Sequence, residues 1–197
     1  MRVVGEDLGC VPDYVRPDLS YLRIAGFKIP HWEITPQQQI VRGETYNPCS
    51  FATYATHDFP PLCNDWDTWN DAVQDAYGAV LDPATPPEVR RAAQQKGRDC
   101  ARVLCWLADF AGMSHRDCMV PWHQGIKDAL IRALLQCNSA YAALMWTELF
   151  DIPVRLNTPG TEGGTNWRPR MPFTAAEAAD MEQSAWLRKL SVQAGRA

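Results

Sequence analysis

The chain has 197 residues, with 19 Lys and Arg against 23 Asp and Glu, a formal net charge of −4 and a pI near 5.5. This balance argues against nucleic-acid binding through a basic surface. No apolar run approaches the ~20 residues needed to cross a bilayer, and Met1-Arg2-Val3-Val4 lacks the charged start and apolar stretch of a signal peptide. The seven cysteines are odd in number, none forms a C-x-x-C pair, and the four histidines are scattered. No metal site is therefore expected, and a reducing cytoplasm fits best.

Arg2-Val3-Val4 reads as a buried strand, followed at once by Gly5-Glu6-Asp7-Leu8-Gly9. Met1 then stands inside that strand without a lead-in, an arrangement expected of a fragment. Pro12 to Leu22 is predicted as a helix, with Val15, Leu19 and Leu22 as its apolar face. After Gly26, the run Phe27-Lys28-Ile29 reads as a second strand, with His31-Trp32-Glu33 beyond its end. Pro36 to Pro48 is polar and reads as loop. Phe51 to Ala55 is a third strand ending at Thr56-His57-Asp58, with Phe59-Pro60-Pro61 stiffening the turn.

A helix is predicted over Asp65 to Gly78, with Trp66, Trp69, Val73 and Tyr77 at helical spacing. Thr85-Pro86-Pro87-Glu88 has the spacing of a capping box and opens the longest helix, to about Phe110, ended by Gly112. This helical excursion is long for a strand-to-strand connection and is expected to pack outside a barrel. A further helix runs from Trp122 to about Cys137, with Ile126, Leu130 and Leu134 as its core stripe. Tyr141 to Phe150 reads as a fourth strand, although its continuous apolarity equally suits a buried helix. A glycine-bearing loop over Asn157 to Pro172 follows; it has no Gly-Lys-Ser/Thr and so no phosphate-loop character. Thr174-Ala175-Ala176-Glu177 is a second capping box, opening a terminal helix to about Leu190.

Strands alternating with helices imply a parallel α/β sheet. A carboxylate just past a strand end is where such folds place reactive groups. Glu6 and Asp58 both sit there, and Trp32 and His57 share that rim. Singly, the carboxylates and the tryptophan have ordinary explanations, a carboxylate at a helix start and a packed loop anchor, while His57 suits either a general base or, beside an aspartate, a donor to substrate hydroxyls. The arginines Arg168 and Arg170 suit either sugar hydroxyls or anchorage to acidic groups beneath the loop. The eight tryptophans suit either core packing or stacking on sugar rings.

Taken together and in order, four segments resemble the 4-α-glucanotransferase (amylomaltase, or disproportionating enzyme) family. They are Gly5-Glu6-Asp7-Leu8-Gly9, Ala25-Gly26-Phe27-Lys28-Ile29, Ala52 to Asp58, and Arg155-Leu156-Asn157-Thr158-Pro159-Gly160-Thr161 with Asn166-Trp167-Arg168-Pro169-Arg170-Met171-Pro172. The resemblance runs from residue 1 to about 173 and implies the C-terminal half of a (β/α)8 TIM-type barrel with helical insertions, followed by a helical tail over 174–197. It implies that Glu6 is the general acid/base and Asp58 the carboxylate that stabilises the transition state. It further implies that Trp32, His57 and Asn157 contact glucose units of a maltodextrin or other α-1,4-glucan, without metal or organic cofactor.

Retaining chemistry uses two carboxyl groups, one as nucleophile and one as acid and then base. The acid needs burial to hold its proton near neutral pH. The family's nucleophile belongs to an Arg-x-Asp-His motif on an earlier strand, and only five residues precede Glu6. The implied partner is thus the missing N-terminal half of the same barrel, and these residues alone are expected to be inactive and poorly folded. Two other readings stay open: a non-catalytic glucan-binding or regulatory protein, and a related barrel glycoside hydrolase.

Overall fold

The computed structural model describes residues 3–196. Four short strands, β1 (Val4–Gly5), β2 (Ala25–Lys28), β3 (Ser50–Ala52) and β4 (Tyr141–Ala142), form one sheet in that spatial order. Every pairing is parallel, with Gly5 opposite Gly26, Lys28 opposite Ala52, and Ala52 opposite Ala142. All four strand C-termini therefore face one rim, as the alternating pattern predicts. Arg2 of the predicted first strand lies outside the described residues.

The helices are α1 (Val15–Tyr21), α2 (Leu62–Leu81), α3 (Pro87–Ala111), α4 (Gln124–Gln136), α5 (Trp146–Leu149), α6 (Ala175–Asp180) and α7 (Glu182–Gln193). The first is shorter than predicted. Arg23 takes a left-handed φ of 53° just after it, and Leu22 is turned out to solvent rather than inward. In contrast, α2 begins earlier than predicted, because Pro61, at φ −59°, stands just outside the helix and leads into it rather than blocking it. Of the residues at helical spacing, Trp66 and Val73 are buried and Tyr77 is exposed.

Helices α2 and α3 form a long antiparallel hairpin beside the sheet. Gly97 lets them approach closely: a Cβ there would meet the Ala76 Cβ at 2.5 Å. The predicted capping box at Thr85 does not form. Its hydroxyl donates to Asp82 Oδ2 at 3.0 Å, and Pro86 takes the capping position. Gly112 does end α3, in the left-handed conformation.

The core gathers Ala52 of β3 and Tyr54 just beyond it, Trp66 of α2, Leu104 and Leu107 of α3, and Ile126, Leu130 and Leu134 of α4. Two of its polar side-chain atoms are paired, Trp66 Nε1 donating to Val120 O at 2.9 Å and Tyr54 Oη to Leu130 O at 2.6 Å.

The fourth strand is far shorter than the predicted Tyr141–Phe150. Sheet pairing stops once β3 has left at Ala52, and the chain turns into α5. Two side chains fix that turn. Glu148 Oε2 accepts the Met145 N–H at 3.1 Å, and the fully buried Lys127 donates to Leu149 O at 2.7 Å and to Asp151 at 2.5 Å. A continuous apolar run therefore resolves into a strand tip and a buried turn of helix. The terminal helix is two helices broken at Met181, which is extended (φ −72°, ψ 149°). Its predicted capping box is present, with Glu177 N–H donating to Thr174 Oγ1 at 3.2 Å. Leu190 packs on Ile131 and Leu135 of α4, so this tail closes over the same body.

Candidate active site

The rim at the strand C-termini carries the predicted residues. Thr56 turns the chain after β3, accepting the Asp58 N–H at Oγ1 (3.3 Å) and the Phe59 N–H at its carbonyl (3.1 Å). The segment 155–157 then comes back across this turn. Asn157 N–H donates to His57 O at 3.0 Å, and Asn157 Nδ2 donates to Asp58 Oδ1 at 2.6 Å. His57 Nε2 lies 3.3 Å from the same oxygen. The structure therefore brings three predicted residues, His57, Asp58 and Asn157, into one hydrogen-bonded group. A carboxylate held on one oxygen by an amide donor keeps its second oxygen available to accept a further hydrogen bond.

Arg155 locks the arrangement. Its Nη2 donates to Asp58 O and its Nε to Asn157 O, the latter at 2.8 Å. One planar guanidinium thus ties together two stretches almost a hundred residues apart. Asp65, on the first turn of α2, is pushed up to about 6 by burial, which nearby Arg155 partly opposes.

Trp32 joins the group through Phe59, the two rings meeting edge to face with centroids 4.9 Å apart. It is 42% exposed, as a stacking surface requires. Beneath it His31 is buried against Trp69, and burial lowers its pKa to about 4, so the ring is neutral at physiological pH. Lys28, at the end of β2, pairs with Glu33 at 2.8 Å.

Glu6 follows β1 directly and is exposed. Its neighbour Asp7 faces inward instead: Oδ1 accepts the Phe27 N–H at 2.6 Å, and Arg16 Nε donates to Oδ2 at 3.2 Å. A side chain at Gly26 would meet that carboxylate at 2.9 Å, so the glycine makes room for it. Asp7 thus fixes the turn that presents Glu6. The burial expected around an acid catalyst is not supplied by the described residues.

Several contributors were given no role by the sequence, Asp7 and Arg155 although they stand within the quoted motifs. Asp7 and Arg155 look like ordinary charged residues until their partners are placed, and buried Lys127 sits on a helix whose stripe is aliphatic. Glu148, past β4 on the same rim, is buried and raised to about 8 by that burial, so it is a neutral carboxylic acid at pH 7. Arg168 and Arg170 are exposed and form no ion pair among the described residues, which disfavours the anchoring alternative. A cleft of about 590 Å³ between residues 38–44 and α3, lined by Arg42, Arg102 and Trp106, contains none of these rim residues.

A family model described as 4-alpha-glucanotransferase matches residues 1–175. The 4-alpha-glucanotransferase of Chlamydia muridarum is 36% identical over 173 residues, which is 85% of this chain and 28% of that protein. That of Chlamydia caviae is 30% identical over 184 residues, 90% of this chain and 29% of that protein. Among solved structures, the amylomaltase of Corynebacterium glutamicum superposes with a TM-score of 0.62 at 22% identity, covering 96% of this chain and 28% of that one. The Streptococcus agalactiae amylomaltase in complex with acarbose gives 0.61 at 18% identity, covering 98% and 32%. The chain thus spans less than a third of each of these relatives. Its match to the family model over nearly its whole length shows that it belongs to the 4-alpha-glucanotransferase family.

Proposed function

We propose that this chain is the C-terminal part of the catalytic barrel of a cytoplasmic 4-α-glucanotransferase, moving α-1,4-glucan segments between maltodextrins. The observation that carries the reading is the Asp58 cluster, in which Asn157 and Arg155 return across the β3 rim to hold His57 and Asp58. Residues 1–173 form the barrel portion, and 174–197 form a helical extension against its outer face.

In the mechanism Glu6 protonates the departing glycosidic oxygen, then takes a proton from the incoming sugar hydroxyl. Asp58 accepts hydrogen bonds from ring hydroxyls of the distorted sugar. These bonds strengthen as positive charge develops on the anomeric carbon. His57 and Asn157 orient Asp58, and Trp32 offers an apolar wall for a neighbouring glucose. The nucleophilic aspartate comes from an N-terminal segment that also completes the sheet beyond β1 and buries Glu6. Uncovered parallel edges are association-prone, which is the physical reason to expect such a segment.

The test is disproportionation of maltotriose by the full-length polypeptide, read as release of glucose with longer maltodextrins. Glu6→Gln is expected to abolish it, and residues 1–197 alone to lack it. Glucose release without chain lengthening would favour a hydrolase instead, and glucan binding without turnover a binding protein. Turnover by residues 1–197 alone would overturn the assignment of the nucleophile to another segment.

A further inference from the structure

Of the eight tryptophans, six are buried or half-buried, and only Trp32 and Trp167 are substantially exposed. Trp167 is the more open, at 65%. It also holds a left-handed backbone conformation, φ 59°, which is costly for a bulky side chain and persists only where its surroundings impose it.

Those surroundings are a wired loop. Asn166 accepts the Thr158 N–H at 3.0 Å and donates to the Thr161 hydroxyl at 2.9 Å and to Thr161 O at 3.2 Å, so one amide closes the loop from 158 to 166. Trp167 N–H then donates to Leu156 O at 2.8 Å, beside Asn157. The indole lies 4.8 Å from the His57 ring, centroid to centroid, at 44°. A large apolar side chain is thus held in strain, in the open, next to the carboxylate cluster. Packing explains neither the exposure nor the strain.

We propose that Trp167 is a stacking platform for a glucose unit of the α-1,4-glucan, a second aromatic wall beside the one at Trp32. One face of a glucopyranose is largely C–H, which a flat indole covers, while His57, Asp58 and Asn157 address the hydroxyls at its edge. The proposal rests on the glucan reading given above. Rigid aromatics contribute contact area at little entropic cost, and the Asn166 loop removes most of the remaining cost.

The experiment is calorimetric titration of maltoheptaose into the full-length polypeptide carrying Glu6→Gln, with and without Trp167→Gly. Glycine suits φ 59°, so the variant keeps the loop while losing the platform. The expected result is affinity at least roughly tenfold weaker, about 1.4 kcal/mol, with Trp167→Phe recovering most of it. A 19F spectrum of the 5-fluorotryptophan-labelled protein, with Trp167 assigned through Trp167→Phe, should show its resonance shift on adding maltoheptaose. Equal affinity in Trp167→Gly, or an unmoved resonance while maltoheptaose binds, overturns the platform and leaves the glucan reading standing. Absence of any maltoheptaose binding overturns both.

Discussion

Glu148→Gln tests whether the rim contains a carboxyl group that must stay protonated. Glu148 is 5% exposed, its Oε2 accepts the Met145 N–H, and its Oε1 has no partner among the described residues. Burial raises its pKa from the usual 4.5 to about 8. Between those values the folded protein holds a proton that the unfolded chain has released. Its stabilising contribution is therefore complete below pH 4.5 and lost as pH rises to 8, at about 1.4 kcal/mol per pH unit.

His31, lowered from 6.5 to about 4, acts in the opposite sense, with stability lost as pH falls below 6.5. Asp65, raised from 3.8 to about 6, adds to the Glu148 slope only below 6. Between pH 6.5 and 8, then, Glu148 dominates these three, and the wild type should lose about 2 kcal/mol relative to the variant. The glutamine retains an acceptor for the Met145 N–H and has no proton to lose. The assay is urea denaturation of both full-length polypeptides at pH 6.5, 7, 7.5 and 8. Parallel profiles for wild type and Glu148→Gln would refute the buried-acid argument.

Gly97→Ala should destabilise the protein by about 1–3 kcal/mol through overpacking, although alanine is usually the better helix former. The added methyl would stand 2.5 Å from the Ala76 Cβ and 3.1 Å from Ala72 O, and a lower urea midpoint is the readout. Arg155→Lys keeps the charge but loses the fork that bonds Asp58 O and Asn157 O. Losing one or both should lower kcat for maltotriose by roughly 5- to 30-fold, since a typical hydrogen bond is worth about 1 kcal/mol. Unchanged kcat would show that the clamp does not position Asp58.

The legible parts of the fold were those set by local rules. Period and punctuation located α3 and its Gly112 stop, the Thr174 cap, and the aliphatic stripe of α4. The parallel sheet followed from strands alternating with helices, and the rim from carboxylates at strand ends. What escaped depended on partners distant in sequence. Tyr141–Phe150 could not be resolved as strand tip plus helix, because the break comes from where β3 leaves the sheet and from Lys127 reaching Leu149 O and Asp151. Thr85 looked like a cap, but Asp82 claimed its hydroxyl. Of the site, His57, Asp58 and Asn157 were legible through their motifs, and the structure groups them. Arg155 and Asp7 stand in the same motifs but their roles were not legible, since a clamp or a buried carboxylate is defined only by the backbone groups it reaches.

The most direct test of the central claim is to offer α-maltosyl fluoride and maltotriose, with a maltodextrin acceptor, to the full-length polypeptide carrying Glu6→Gln or Asp58→Asn. Fluoride leaves without protonation, so an enzyme lacking only its acid still forms the covalent intermediate. The account predicts that Glu6→Gln releases a first equivalent of fluoride at a rate near the wild type and then stalls for want of the base that activates the acceptor hydroxyl, while failing on maltotriose, and that Asp58→Asn is slow on both. Glu6→Gln failing equally on both, or Asp58→Asn turning over maltotriose normally, would contradict the roles given to these two carboxylates.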